Sequence, residues 1–188
     1  YWERVTDEDS VDFYVDAGLT LLNPGTITEV TGLGHLEGET VQVYANGAVL
    51  APRTVSSGAI QLNQEGDPTD YEHISVGISY ESQLEPMALE VQMQNGTSVS
   101  REKQITELAV AVRDSYGMKV GTDANGPFDT VTFYNGENAT PLLYSGIKEF
   151  KIDHDYEMDA TFILKQDLPM PLHIQAIVCK FKTYGDQL

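Results

Sequence analysis

One cysteine, Cys179, occurs in 188 residues. That excludes an intramolecular disulfide framework and any zinc site made of several thiolates, and Cys179 itself reads as a small buried hydrophobe in a strand. Cations are also scarce. Eleven Lys and Arg face 29 Asp and Glu, a formal net charge of -18, so a broad basic surface that grips nucleic-acid phosphates is excluded, while a wall that repels DNA fits. No apolar run reaches the ~20 residues needed for a membrane-crossing helix. The first residues, Tyr1-Trp2-Glu3-Arg4, do not resemble a secretory leader, and a soluble chain without membrane contact is expected. Because it starts without Met in a strand-like stretch, a segment of a longer polypeptide is expected too.

Catalytic and metal-binding patterns are equally thin. His35, His73, His154 and His173 lie far apart, without the close pairing of a helical metal motif. Gly32-Leu33-Gly34-His35-Leu36-Glu37-Gly38 has the wrong glycine spacing for a phosphate loop and reads as a turn. No serine sits in Gly-x-Ser-x-Gly. Asp153, Asp155, Glu157 and Asp159 alternate as a ladder of carboxylates that suits a hard cation, yet Met158 and Leu164 occupy the positions where a calcium loop needs Gly and Glu. The favoured reading of 153–159 is a solvated loop or hairpin tip, with calcium as the alternative. Asn95-Gly96-Thr97 and Asn138-Ala139-Thr140 match the glycosylation pattern, which matters only in a secretory pathway. No catalytic residue, cofactor site or metal site is assigned, and the chain is read as a non-enzyme.

What is present is β patterning. Short alternating runs broken by Gly, Asn and Pro recur, and apolar residues rarely hold a helical period beyond a turn or two. Asn46-Gly47, between Val41–Ala45 and Ala48–Leu50, predicts a two-residue hairpin. Ser57-Gly58 predicts a second turn between Thr54-Val55 and Ala59–Leu62, and His73–Tyr80 alternates as another strand. Residues 31–81 are therefore expected as a small β-barrel, closed to protect its edges, with 66–70 as a polar surface loop. Residues 1–30 are expected as N-terminal strands packing on an upstream region or on the second domain. Tyr1, Trp2, Phe13 and Tyr14 supply the apolar surface for that packing.

Beyond a crossing point near Glu85-Pro86, residues 82–188 are expected as an antiparallel β-sandwich. Thr106, Leu108, Val110 and Val112 fall on one face of a strand, with Leu108, Val110 and Val112 in the core, and Glu107, Ala109, Ala111 and Arg113 on the other. Further strands are expected at 118–121, 130–134, 146–152, 160–165 and 172–181. The last, with few polar side chains on either face of Ile174–Val178, is expected in the middle of a sheet. Charge is uneven between the halves: residues 1–100 hold two basic and sixteen acidic side chains, and residues 101–188 hold nine and thirteen.

The ordered runs Asp9–Thr20, Gly32–Ala48, Thr54–Leu62, Val76–Tyr80, Ile105–Leu108, Tyr116–Gly121 and Asp167–Ile177 resemble the C-terminal half of bacteriophage tail nozzle or tail-tubular proteins of short-tailed phages and related prophages. The more specific part is His35-Leu36-Glu37-Gly38-Glu39-Thr40-Val41 followed by the Asn46-Gly47 hairpin; Leu168-Pro169-Met170-Pro171-Leu172 is weaker alone. The small barrel is also similar in shape to the first catalytic-cysteine half-domain of ubiquitin-activating enzymes, which implies no ubiquitin chemistry. The tail resemblance implies a virion protein made in the host bacterial cytoplasm. In the full-length family it assembles with other tail subunits as a homo-oligomeric ring around the DNA exit channel, after a propeller-like region, and DNA passes without specific binding. The segment alone is expected to be a monomer or to associate weakly. The alternative is a glycan- or receptor-binding module using aromatics such as Tyr71, Tyr80, Tyr134 or Tyr144.

Overall fold

The computed structural model describes residues 14–64, 67–93, 96–133 and 143–184. Among these the chain is nearly all β, in antiparallel sheets. Its strands are β1 (Asp16–Gly25), β2 (Glu29–Thr31), β3 (Thr40–Ala45), β4 (Ala48–Thr54), β5 (Ala59–Gln61), β6 (Tyr71–Ile78), β7 (Ser82–Leu84), β8 (Gln92–Met93), β9 (Gly96–Thr97), β10 (Lys103–Ser115), β11 (Gly117–Gly121), β12 (Asp129–Thr132), β13 (Tyr144–Lys151), β14 (Ile163–Gln166) and β15 (His173–Thr183), with one 3-10 turn at Gly34–Leu36. The chain divides into two compact units, one of residues up to 81 with 167–170, the other of most of the remainder from 82 onward.

In the first unit the sheet order is β1-β6-β3-β4, beside a β2-β5 ladder. Both surround a core of Val30, Leu33, Leu36, Val41, Val43, Val55, Ile60, Leu62, Ile74 and Val76. Every second residue of β3 enters it, as the period-2 pattern dictates. The predicted hairpin forms: Asn46 and Gly47 both take positive φ between β3 and β4. The Asn46 side chain also donates to Asp70 O and accepts the backbone N–H of Glu72, tying the hairpin to β6. Ser57-Gly58 makes the second turn, closed by paired Ser56 and Ala59.

Two features of this unit differ from expectation. The strand at 16–25 is part of the first unit's own sheet, paired along β6, with the Thr20 and Ser75 hydroxyls 2.9 Å apart. Without β1, the outer edge of β6 would be bare. The polar loop expected at 66–70 turns one side chain inward: the Asp67 side chain is 5% exposed and accepts two hydrogen bonds from Arg53 Nη2. The reason is Arg53 itself, a β4 side chain directed inward, whose charge needs a counter-ion. Gly66 lies outside the described residues, as do Tyr1, Trp2 and Phe13; Tyr14 is half-buried.

Besides a two-stranded β8-β9 ladder, the second unit holds two larger sheets, β13-β10-β15 and β12-β11-β14-β7, whose facing side chains share one core, a sandwich-like arrangement. β10 supplies Ile105, Leu108, Val110 and Val112; β11 supplies Met118 and Val120; Phe162 and Leu164 come from the β14 side. β10 is a strand throughout 103–115, as its β-branched content indicates. Its inward set begins at Ile105 rather than Thr106, because a bulge skips Thr106 between Ile105 and Glu107 against β15. Thr106 then donates its hydroxyl to Lys180 O.

The position of β15 corrects the sequence reading. Among the described residues it pairs with β10 alone, as an edge strand, and Val178 is 60% exposed. Its apolar run does serve two faces: Ile174, Ile177, Cys179 and Phe181 pack on the core, while Ala176 and Val178 stand outward. A run with few polar side chains signals two largely apolar faces, not two paired edges. The strands expected from 146 and 160 begin at Tyr144 and Ile163, and that expected at 130–134 spans Asp129–Thr132. Tyr134 is outside the described residues.

Candidate functional site

The residues singled out for chemistry do not converge. His35 Nε2 donates to Ala17 O at 2.8 Å, and the His73 ring stands edge-on to Tyr44 with centroids 5.6 Å apart. Buried His154 has both ring nitrogens against backbone carbonyls, those of Asp155 and Thr161, and His173 Nδ1 donates to Arg113 O at 3.1 Å. Among the described residues no three His, Cys, Asp or Glu come together to hold a metal ion. Asp153, Asp155, Glu157 and Asp159 are all exposed, in a segment outside the named strands. Their described ties are through the backbone: Glu157 bridges Lys103, and the Asp155 carbonyl accepts from the His154 ring. A strand ladder is what would have pointed alternate carboxylates to one side; a loop spreads them. Cys179 sits on the inward side of β15, and burial pushes its thiol pKa up.

The motif with the strongest resemblance builds structure. The Glu37 carboxylate accepts the N–H groups of Ser57 at 2.8 Å and Gly58 at 2.6 Å, while Leu33 N–H donates to Gly58 O at 2.8 Å. Leu33 and Leu36 of the same segment are core residues. Gly58 combines a φ of +70° with a close approach: a Cβ there would lie 3.3 Å from the Gly34 backbone. The histidine-to-valine motif is thus a clasp between the 3-10 turn and the β4–β5 turn.

An open depression of about 630 Å³ beside that clasp is lined by Glu29, Arg53, Ser56, Ser57, Gln61 and Gln64. Its one cation is already engaged. Arg53 donates to Gln61 O, Ala51 O and Pro52 O as well as to Asp67, so no guanidinium donor is left pointing to a ligand.

Of the aromatics suggested for ligand stacking, Tyr71 is a core residue only 1% exposed, and Tyr144 is half-buried against Phe133 with its hydroxyl donating to Ile147 O. Tyr80 is 39% exposed. Sequence reasoning missed the most exposed pair: Tyr156 and Tyr184 meet edge to face with centroids 5.7 Å apart. They are 28 positions apart, so no local pattern announces them.

The feature that stands out is the outward face of the β13-β10-β15 sheet. Its registers align rows of side chains across three strands: Ile147–Ala111–Ala176, Glu149–Ala109–Val178 and Lys151–Glu107–Lys180. Ile147 and Val178 are more than half exposed. Among the described residues, β13 and β15 each pair only with β10, so the sheet has two open edges. These three strands carry six of the chain's eleven Lys and Arg and three of its 29 Asp and Glu, a net +3 within a total of -18. Lys180 donates to Glu107, whose hydrogen bond and charge raise the Lys180 pKa. Comparison with known proteins adds no assignment: no protein-family model and no curated protein matches the chain.

Proposed function

We propose that this chain is a structural module of a bacteriophage tail, nozzle- or tube-like, that works by presenting surfaces to neighbouring subunits around the DNA exit channel. The observation that carries this reading is the outward face of β13-β10-β15, which exposes an apolar stripe together with two strand edges that are unpaired among the described residues. Such a face is a liability for a free domain and an asset for an assembled one. The ordered motif resemblance supplies the tail context, and the acidic remainder suits a wall along which DNA slides without adhering. Mass spectrometry of purified particles from the bacterium that encodes the chain, after prophage induction, tests the reading. Peptides of this chain are expected in stoichiometric amount with other tail proteins, and their absence from intact particles would overturn it. In a reconstruction of the tail the carboxylate-rich surface is expected on the lumen side; an outward orientation would remove that part.

A second reading, a glycan-binding module, is favoured by the exposed Tyr156–Tyr184 pair flanked by the Asp155 and Glu157 carboxylates, since sugars bind to an aromatic face rimmed by hydrogen-bond acceptors. A glycan array read with the wild type and Tyr184→Ala separates the two. Hits lost in the variant favour glycan binding, and no hits at all count against it.

A further inference from the structure

The charge map of the two units names the partner of the open sheet face. Among the described residues, the first unit holds one cation, Arg53, against nine Asp and Glu, and Arg53 is buried on Asp67. Every acidic residue there other than Asp67 and Asp167 is exposed: Asp16, Glu29, Glu37, Glu39, Asp70, Glu72 and Glu81. The outward face of β13-β10-β15 is the converse. Arg113, Lys151, Lys180 and Lys182 are exposed around Ala109, Ala111, Ile147 and Val178, with Glu107, Glu149 and Asp114, the last 3.7 Å from Arg113 Nε, as its acids. We propose that this face binds the acidic first unit of a second copy of the chain, giving a head-to-tail contact.

Charge decides between the arrangements open to such a face. A two-fold contact sets the same patch against itself and brings a surplus of cations together, whereas a head-to-tail contact sets that surplus against a surface with no exposed Lys or Arg among its described residues. A head-to-tail contact uses two different patches on each copy, so it propagates to a ring or a filament, the assembly class that a tail subunit needs. The inference rests on the structural reading above for its biological setting, but the contact itself is a property of the isolated chain.

The test is zero-length carbodiimide crosslinking, which joins Lys amines to carboxylates in contact, on an equal mixture of 14N- and 15N-labelled full chains at ~0.15 M salt. At that ionic strength the Debye length is about 8 Å, short enough to screen repulsion between whole molecules while sparing direct contacts. Mixed-isotope links from Lys151, Lys180 or Lys182 to carboxylates within 16–81 are expected. Val178→Glu with Lys182→Glu should lower their yield about tenfold or more, whereas Lys119→Glu on β11, which carries two of those three units of charge change, should not. Links between the same sheet of two copies, through Glu107 or Glu149, would mean a two-fold contact and overturn the proposal. So would an absence of mixed links at millimolar chain, which would leave the face to a different protein. Particles that lack this chain would defeat the tail reading while leaving mixed links intact, and the reverse pattern would defeat only the contact.

Discussion

The Tyr71 hydroxyl is buried with no hydrogen-bond partner among the described residues, at the end of a side chain otherwise packed in the first core. A buried donor left unpaired costs about 1–3 kcal/mol, so removing it should recover part of that. Tyr71→Phe is expected to match or exceed the wild type in urea unfolding at neutral pH; a loss above about 1 kcal/mol would mean that the hydroxyl has a partner. Burial, with Asp67 adding to it and Arg53 opposing, raises the Tyr71 pKa above its usual value near 10. The folded state therefore holds this proton more tightly than the unfolded one. The resulting stability is intact below pH 10 and is lost as pH climbs from there through the raised folded value. Alkaline unfolding should accordingly start later in Tyr71→Phe. Glu37 makes the opposite case: both its oxygens accept backbone N–H groups of the Ser57-Gly58 turn. Glu37→Gln presents an NH2 group to one of those donors and is expected to cost about 1 kcal/mol in the same experiment.

At the scale of the element, β1 shows what short-range pattern carries and what it does not. The hairpins at Asn46-Gly47 and Ser57-Gly58 were legible because a turn is written in adjacent residues, and the alternation of β10 was legible because its period is local. Partner strands were not. Nothing within Asp16–Gly25 says that it lies along β6, and nothing within β15 says that it is an edge, because pairing depends on residues far away in sequence. The same gap hid the inward turn of Asp67 to Arg53 and the Tyr156–Tyr184 contact. Only glycine left a trace: at Gly77 of β6 a Cβ would lie 2.7 Å from Asp16 O and 2.9 Å from Gly18 Cα, because β1 crosses too closely for a side chain. Gly77→Ala is expected to cost about 1–3 kcal/mol, as overpacking does, and to speed hydrogen exchange of the β1 and β6 amides ahead of those in β3 and β4. Uniform acceleration, or none, would mean that β1 is not held by this approach.

For the whole molecule the governing fact is a charge of -18 spread unequally over two units with separate cores. The first unit has spent its one described cation on Asp67, so its surface carboxylates repel one another with no internal compensation, and the repulsion is relieved as the chain expands. The second unit is better balanced: Lys180 meets Glu107, and buried Lys103 donates to Glu90 Oε1 and Ser98 O at 3.2 Å each. Salt should thus act on the two halves differently. Raising NaCl from ~0.01 to ~0.15 M shortens the Debye length from about 30 to 8 Å, which removes repulsion between charges a strand or two apart. Differential scanning calorimetry is expected to resolve two transitions, one climbing by about 4–8 °C over that range, which for a unit of this size corresponds to roughly 1 kcal/mol, while the other moves little. Glu37→Gln lowers the transition to which its clasp belongs, and that should be the salt-sensitive one. If instead the insensitive transition shifts in Glu37→Gln, or both rise together with salt, then carboxylate repulsion is shared across the chain and the division of charge between the units has no energetic consequence.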